Sequence, residues 1–271
     1  MIVFPNAKIN LGLNIISKRP DHYHNLETVF YPIAWQDALE IIEASDYQFT
    51  SSGLPIAGAP ENNLCTKAYQ LMVAKHHIAP VHIHLHKIIP MGAGLGGGSS
   101  DAAFTLTTLN SLFNLQLNTA TLQAYASLLG ADCAFFIENK PVLANGKGDE
   151  FSPIHIDLSA YTIVVVYPAI HVSTAEAFAG VQPSPARINK IALENLEFDN
   201  WQTALKNDFE QTVISKHPVI GNIKNALYQK GALYASMSGS GAAVFGIFEK
   251  EIDVADFSAY QTWQGKLIID L

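Results

Sequence analysis

The chain has 271 residues, a formal net charge of −8 at pH 7, 49% hydrophobic residues and 15% charged residues. This length allows one large domain or two ordinary ones, and the apolar fraction is enough for a sizeable core. The negative balance argues against a nucleic-acid-binding protein, because such a protein needs a basic face to neutralise phosphates. We therefore expect no nucleic acid among its partners.

The N-terminus and the cysteines indicate the cellular compartment in which the protein is expected. Residues 1–6 contain no basic segment and only a short apolar run, so no signal peptide is predicted. No stretch reaches the ~18 consecutive apolar residues of a membrane span. The two cysteines, Cys65 and Cys133, are too few for a disulfide framework and fit a reducing environment. We expect a cytoplasmic protein without membrane contacts, whose oligomeric state the sequence does not indicate.

Apolar periodicity along the chain predicts an α+β protein. In the first part, strand-like runs cover residues 2–15, 39–44 and 81–89, and helical spacing covers residues 64–74, 101–113 and 121–129. The turn-rich residues 145–149, followed by Ser152 and Pro153, predict a boundary between two domains at 1–152 and 153–271. In the second part, strands are predicted at 161–167 and 242–248, with helical patterning over much of 188–229.

A glycine-rich segment lies between the predicted strand at 81–89 and the predicted helix at 101–113. Glycine adopts positive φ and has no side chain, so successive N–H groups can approach an anion closely. If the helix begins at Ser99 or Ser100, its positive dipole end points at the same anion. This segment, called the glycine loop below, therefore predicts a phosphate site. Its residues are Pro90, Met91, Gly92, Ala93, Gly94, Leu95, Gly96, Gly97, Gly98, Ser99 and Ser100.

The commonest phosphate-binding loops do not match the glycine loop. A Walker A loop requires Gly-Lys-Ser/Thr, which is absent from the chain. Gly92, Gly94 and Gly97 satisfy the dinucleotide pattern, but no Asp or Glu lies between Asp101 and Asp132 to hold a ribose. The protein-kinase motifs H-R-D and D-F-G are also missing. These observations indicate a nucleotide site of another architecture.

Three segments resemble, in order, the motifs of the GHMP kinase superfamily, which phosphorylates small alcohols such as galactose, homoserine and mevalonate. They are the lysine-containing residues 5–11, the glycine loop and the glycine-rich residues 236–242. The resemblance implies a two-lobed α+β fold, with an N-terminal nucleotide-binding lobe and a ferredoxin-like C-terminal lobe. It also implies ATP as the phosphoryl donor and Mg²⁺ as the counter-charge of its phosphates.

Residues 7–11, 21–28 and 130–136 resemble one branch of this superfamily. That branch phosphorylates a hydroxyl of a cytidine-diphosphate-linked methylerythritol, in the non-mevalonate synthesis of isoprenoids. Cys133 and Ala134 depart from its pattern of valine and proline, which puts the rigidity of this loop in question. Two alternatives stay open: a kinase for another small alcohol, such as homoserine or mevalonate, and a non-catalytic relative that senses ATP or sugar.

The resemblance implies Lys8 and Asp132 as the catalytic residues. Asp132 would accept or orient the proton of the acceptor hydroxyl, and Lys8 would stabilise charge on the transferred oxygens. A cytosine needs an aromatic face and hydrogen bonds at its edge. The implied substrate contacts are Asn10, Tyr23, His24, Thr174 and Phe178. For Tyr23 and Phe178, ordinary core packing is the competing interpretation.

The sequence contains two further candidates for metal binding. Ser99 or Ser100 could give Mg²⁺ a hydroxyl ligand, whereas Asp101 is interpreted as a residue of the helix start. A row of alternating histidines in the strand at 81–89 also suggests a transition-metal site. Such side chains lie ~6–7 Å apart along one face, and a solvated strand face explains them as well. No transition-metal site is predicted at these histidines, His82, His84 and His86.

Overall fold

The computed structural model describes residues 1–21, 23–185, 188, 194 and 198–267. Two compact units divide the chain, and each takes residues from several segments. Unit 1 consists of Met1–Ala7, Trp35–Met91 and Gly96–Asn139. Unit 2 consists of Lys8–Ala34, Gly92–Leu95 and Lys140–Leu271. The domain boundary expected after residue 152 stays a prediction.

The chain contains both strands and helices, as the mixed periodicity predicted, and they follow one another in runs. The strands are β1 (Ile2–Val3), β2 (Asn6–Lys18), β3 (His24–Gln36), β4 (Ala38–Glu43), β5 (Gln48–Gly53), β6 (Val81–Lys87), β7 (Val142–Asn145), β8 (Glu150–Pro153), β9 (Thr162–Tyr167), β10 (Tyr234–Met237), β11 (Val244–Phe248) and β12 (Gln261–Lys266). The α-helices are α1 (Leu64–His76), α2 (Gly97–Leu112), α3 (Thr119–Leu129), α4 (Phe135–Glu138), α5 (Thr174–Phe178), α6 (Phe198–Ala204), α7 (Phe209–Lys216) and α8 (Pro218–Gln229).

Unit 1 contains a four-stranded sheet in the order β1-β4-β6-β5, where only the β5–β6 pair is parallel. The alternation of β6 buries Val81, Ile83 and Leu85, as a half-buried strand requires. Helix α2 packs on β4, and α1, α3 and α4 pack around α2. The apolar stripe of α2 is fully buried at Ala102, Ala103, Leu106 and Leu109, and it is partly buried at its end, at Leu112. The strand, glycine loop and helix predicted here are therefore confirmed.

Unit 2 contains an antiparallel sheet in the order β10-β11-β9-β12. Because β9 is the first of these strands in the chain and lies between β11 and β12, the sheet has the split βαβ arrangement of ferredoxin-like folds. Helices α5, α6, α7 and α8 come between β9 and β10, and α8 packs on β10 and β11. Between β11 and β12, a single turn of 3₁₀ helix, Ala255–Phe257, takes the place of the second crossover helix. The ferredoxin-like prediction is confirmed.

A third sheet has the order β2-β3-β7-β8. The predicted strand at residues 2–15 is in fact two strands, because the chain leaves the ladder at Phe4 and Pro5. Proline cannot donate a ladder hydrogen bond. The turn-rich residues 145–149 connect β7 to β8 as a hairpin.

The helical patterning predicted from residue 188 onward corresponds to α6, α7 and α8 from residue 198. Its earlier part lies mostly outside the described residues. Within the described part of the chain, no helix is both long and apolar enough to cross a membrane.

Candidate active site

The backbone of the glycine loop explains its composition. Gly92, Gly94 and Gly96 have φ angles of 65°, 78° and 71°, which residues other than glycine rarely adopt. Helix α2 begins at Gly97, with Gly96 as its N-cap, rather than at Ser99 or Ser100 as expected. A Cβ on Gly97 would lie 2.9 Å from the side chain of Ile89, so only glycine fits this close approach. The first-turn N–H groups that lack a partner within the helix therefore belong to Gly97, Gly98 and Ser99, because the N–H of Ser100 already donates to the carbonyl of Gly96.

Two glycine-to-alanine substitutions test this geometry. A Cβ on Gly94 would collide with the carbonyl oxygen of Ser238 and would require alanine at positive φ. A Cβ on Gly98 would meet no heavy atom within 4 Å. We expect Gly94→Ala to lower the free energy of unfolding by about 1–3 kcal/mol. Gly98→Ala, the matched control, should leave it unchanged or raise it by up to about 1 kcal/mol. Denaturant titrations check both values, and equal stability of the two variants would contradict the loop geometry.

Lys8 lies in β2 and is almost completely buried, with 3% of its surface exposed. Its Nζ donates hydrogen bonds to Asn10 Oδ1 at 2.7 Å and to the carbonyl oxygen of Gly94 at 3.1 Å. It also lies 5.0 Å from the ring centroid of Phe30, within the range of a cation–π contact. The backbone N–H of Lys8 donates to the carbonyl of Leu95 at 2.9 Å. The lysine of the first motif is thus tied directly to the glycine loop.

Asn10 and Ser238 complete the surroundings of Lys8 in unit 2. Asn10 Nδ2 donates to Thr28 Oγ1 at 2.9 Å, which leaves its carbonyl oxygen for the ammonium. Ser238, in the third motif, donates from Oγ to the Gly94 carbonyl at 2.8 Å. The side chain of Asn10 therefore holds Lys8, and its contact with substrate stays a prediction. The first, second and third motifs meet in one hydrogen-bonded network.

Two of the residues predicted to contact a cytosine, His24 and Phe178, lie against each other in unit 2. The rings of His24 and Phe178 stack, with centroids 4.4 Å apart and planes 18° apart. Burial and the charge of Lys18 hold the pKa of His24 below its usual value, so its ring is neutral near pH 7. A neutral imidazole offers one donor and one acceptor.

Tyr23 and Thr174 are on the surface of unit 2. Tyr23 is 63% exposed, which excludes core packing, and its ring centroid lies 5.4 Å from the Lys147 ammonium. Thr174 is exposed at the start of α5. The substrate contacts of both residues stay predictions.

Asp132 lies in unit 1, half-buried in the turn that precedes α4. The neighbouring departures from the family pattern preserve this turn. Ala134 has a φ of −64°, the angle that a proline ring would impose. Cys133 is buried and hydrogen-bonds with the Ser99 side chain, and burial raises the pKa of its thiol to about 11. The cysteine thus connects the Asp132 turn to the first turn of α2.

A buried ion cluster lies beneath the start of α2. Lys87 Nζ donates to Asp37 Oδ2 and to Asp101 Oδ2, the latter at 2.7 Å. Asp37 Oδ1 accepts the backbone N–H groups of Ile88 and Ile89 at 2.6 and 2.8 Å. Burial raises the pKa of Asp101 to about 7, against the attraction of Lys87. The interpretation of Asp101 as a residue of the helix start is therefore wrong: it is an internal partner of Lys87.

Two oxygens at this end of unit 1 are buried without a hydrogen-bond partner in the described part of the chain: Ser100 Oγ and Asp101 Oδ1. Buried polar atoms are normally satisfied, so such orphans need an explanation. A cavity of about 110 Å³ is bordered by Asp101, by Lys87 and by Met91 and Gly98 of the glycine loop. Space next to the loop is thus lined by groups that suit a polar ligand.

The histidine row of β6 is partnered within its own sheet. The rings of His84 and His86 lie 2.8–2.9 Å from hydroxyl oxygens of Thr50 and Ser52 on β5. His82 Nε2 lies 3.2 Å from Asp46 Oδ1. Across the residues that the structure describes, no group of three or more His, Cys, Asp or Glu side chains is arranged to hold a metal.

Sequence reasoning missed the ion cluster, although a signal for it was present. In β6 the apolar residues alternate with histidines, so residue 87 falls on the buried face together with Leu85. A lysine at such a position requires a carboxylate partner. The antiparallel pairing of β4 with β6 sets Ala38 opposite His86, and it thereby places Asp37 next to Lys87.

Comparison with known proteins agrees with this geometry. Models of the GHMP kinase N-terminal and C-terminal domains match residues 63–140 and 183–260. A relative from Bacteroides fragilis (strain YCH46), named 4-diphosphocytidyl-2-C-methyl-D-erythritol kinase, is 52% identical and covers 98% of this chain and 100% of its own.

Two solved structures share the fold. A crystal structure of 4-(cytidine 5'-diphospho)-2C-methyl-D-erythritol kinase has a TM-score of 0.83 at 29% identity, over 98% of this chain and 99% of that one. A crystal structure of mevalonate kinase has a TM-score of 0.73 at 14% identity, over 100% of both chains, which shows the common fold alone. The chain therefore belongs to the GHMP kinase family, within the group of the 4-diphosphocytidyl-2-C-methyl-D-erythritol kinases.

Proposed function

We propose that the chain transfers the γ-phosphoryl group of ATP to the 2-hydroxyl of 4-diphosphocytidyl-2-C-methyl-D-erythritol. The observation that carries this proposal is the 52% identity, along 98% of the chain, to a kinase with that name. The stacked pair of His24 and Phe178 supports a nucleobase-bearing acceptor, since it places a neutral imidazole beside an aromatic face. We also propose that the reaction takes place in the cytoplasm, since both cysteines are free and buried.

The reaction forms one bond and breaks another at the γ-phosphorus. The acceptor oxygen bonds to phosphorus, the bond from phosphorus to the β,γ-bridging oxygen breaks, and ADP leaves with that oxygen. The acceptor hydroxyl loses its proton, for which we propose the carboxylate of Asp132 as the receiving group. Positioning and charge stabilisation supply most of the rate in such transfers.

Lys8 is proposed to stabilise the charge on the transferred oxygens. Its ammonium is held by Asn10 and by the Gly94 carbonyl, so it needs little reorganisation when charge develops. The glycine loop, with its positive φ angles and the first turn of α2, is proposed to hold the phosphates of ATP through backbone N–H groups. The cavity beside Gly98 provides space for a neighbouring part of the nucleotide.

The residues also fit a magnesium ion. Mg²⁺ prefers oxygen ligands, and the orphaned Ser100 Oγ is a hydroxyl oxygen at the start of α2. Ser99 is the weaker candidate, because its side chain already hydrogen-bonds with Cys133. We propose Ser100 as a ligand of the ion, which would neutralise charge on the ATP phosphates when bound.

Replacing Tyr23 by alanine tests the proposed cytosine contact. The ring is 63% exposed and thus available for stacking. Because one base–aromatic stack contributes ~1–3 kcal/mol, we expect Tyr23→Ala to raise KM for the cytidyl substrate about 5- to 150-fold. The kcat value and the KM for ATP should stay near wild type. Tyr23→Phe, which keeps the ring, is the matched control, and an unchanged KM in Tyr23→Ala would reject the contact.

An acceptor panel tests the substrate assignment. The purified protein with ATP and Mg²⁺ is offered the diphosphocytidyl alcohol, homoserine and mevalonate, and formation of ADP is followed. We expect turnover with the diphosphocytidyl substrate alone. Turnover of homoserine or mevalonate instead would support the second candidate, a GHMP kinase for another alcohol. ATP binding without turnover of any acceptor would support a sensing relative.

A further inference from the structure

Asn207 lies beside β2 at a position that no catalytic motif includes. It is 3% exposed and pairs with Leu13 of β2 in a parallel bridge. The backbone on either side is bonded to the same residue, since Leu13 donates to Lys206 at 2.9 Å and accepts from Asp208 at 2.8 Å. Asn207 is therefore held against the strand that carries Lys8 and Asn10.

The amide of Asn207 forms hydrogen bonds with the third motif on both sides of Ser238. Its Nδ2 donates to the carbonyl oxygens of Met237 and Gly239, each at 2.8 Å. Its Oδ1 accepts the backbone N–H of Phe209 at 3.0 Å. An amide group has two N–H donors, and both are used here on carbonyls that flank a single residue. The orientation of Ser238 thus depends on the side chain of Asn207.

Ser238 transmits this orientation to Lys8. Its Oγ donates to the carbonyl oxygen of Gly94 at 2.8 Å, and Lys8 Nζ donates to the same oxygen at 3.1 Å. Ser238 Oγ also lies 3.4 Å from Asn10 Oδ1, which is a second acceptor of the lysine. A shift of Ser238 would therefore move these two acceptors of the ammonium.

We propose that Asn207 is a positioning residue for the phosphoryl transfer. It acts through Ser238 and Gly94 to hold the Lys8 ammonium, and it contacts no reacting group itself. The proposal rests on the proposed function, in which Lys8 stabilises the transferred phosphoryl group. Because displacement by about 1 Å can cost 10²-fold in rate, the amide is expected to affect kcat more than substrate binding.

The test replaces Asn207 by aspartate, which has nearly the same shape but no N–H donor when ionised. At about pH 8 we expect Asn207→Asp to lower kcat about 10- to 100-fold, with KM for ATP changed by less than about twofold. Burial among carbonyls raises the pKa of the new carboxyl, and its protonated form regains one donor. The ratio of variant to wild-type kcat should therefore rise as the pH falls from about 8 to about 5.5.

Tyr234→Phe is the matched control. Tyr234 OH is a buried donor in the same unit and is bonded to the Leu205 carbonyl at 2.6 Å. It also contacts the Ser236 side chain at the start of the third motif, but it has no bond to the two carbonyls that flank Ser238. Its loss should lower stability without lowering kcat and without any dependence of the ratio on pH. Ser238→Ala interrupts the same path one residue further on without adding charge, and it should also reduce kcat.

Labelling of Lys8 by an amine-acylating reagent, followed by mass spectrometry of the peptides, measures its surroundings without relying on turnover. We expect faster labelling of Lys8 in Asn207→Asp and Ser238→Ala than in the wild type or Tyr234→Phe. A wild-type kcat in Asn207→Asp, a loss that does not vary with pH, or equal labelling in all four proteins would overturn the proposal. An inactive wild type with unequal labelling would instead reject the proposed function and leave the positioning of Lys8 supported.

Discussion

Lys8→Met is expected to lower kcat by about 10²- to 10³-fold, the usual cost of removing one preorganised group that stabilises developing charge. Methionine keeps the length and the apolar stem of the side chain, so the variant should fold. KM for both substrates should change little, because the ammonium is proposed to act on the phosphoryl group in transfer. Steady-state kinetics and a thermal melt measure these quantities together.

Asp132→Asn is the companion variant of Lys8→Met. A positioned general base contributes about 10²- to 10⁴-fold, so a loss in this range supports proton transfer to the carboxylate. Near-wild-type kcat in Lys8→Met would contradict the assignment of Lys8. The same result in Asp132→Asn alone would remove only the proton-transfer role.

Among the variants considered, Asp37→Asn is expected to lower the free energy of unfolding the most. Asp37 is 1% exposed and accepts two backbone N–H groups as well as the Lys87 ammonium. With asparagine, an NH₂ group would face the ammonium whenever the amide oxygen serves the backbone. Breaking a buried ion pair by removing one partner costs about 3–5 kcal/mol, because the other charge stays buried. Denaturant unfolding at pH 7 measures this loss.

Asp101→Asn is the matched control within the same ion cluster. The pKa of Asp101 is raised to about 7, so an uncharged amide resembles a form that the carboxyl already populates. Its amide oxygen can still accept from Lys87, and Asp37 keeps its charge. We expect a change below about 1.5 kcal/mol. Equal losses in Asp37→Asn and Asp101→Asn would contradict the unequal roles of the two carboxylates.

Local sequence patterns were sufficient to predict those helices and strands whose own residues determine their structure. The alternation in β6 and the spacing in α1, α2 and α3 predicted elements close to those observed. The start of α2 was predicted too late, because glycine is a poor helix former and its close approach to Ile89 depends on tertiary packing. The strands β3, β5, β7, β8, β10 and β12 were missed. The middle of β3 is buried on both faces and so shows no alternation, and the other five strands are short or polar.

Some residues of the candidate site could be predicted from the sequence, and others could not. Its motif residues could be named from the sequence, because the resemblance locates Lys8, Asp132 and the glycine loop. The groups that hold them could not, since Asn207 reaches the carbonyls of Met237 and Gly239 across 30 and 32 residues of chain. Such contacts depend on how strands pair and loops pack. An asparagine in a polar stretch has no periodicity that would reveal them.

The phosphorus-31 NMR spectrum of the product, recorded with proton coupling, tests the central claim most directly. The reaction contains the wild-type protein, ATP, Mg²⁺ and 4-diphosphocytidyl-2-C-methyl-D-erythritol. Carbon 2 of this acceptor bears the methyl group and no hydrogen, so a phosphate on its hydroxyl has no proton three bonds away. We predict one new phosphomonoester signal without proton splitting, formed together with ADP. A signal split by protons would place the phosphate on another hydroxyl and contradict the assignment, and so would the absence of a new signal.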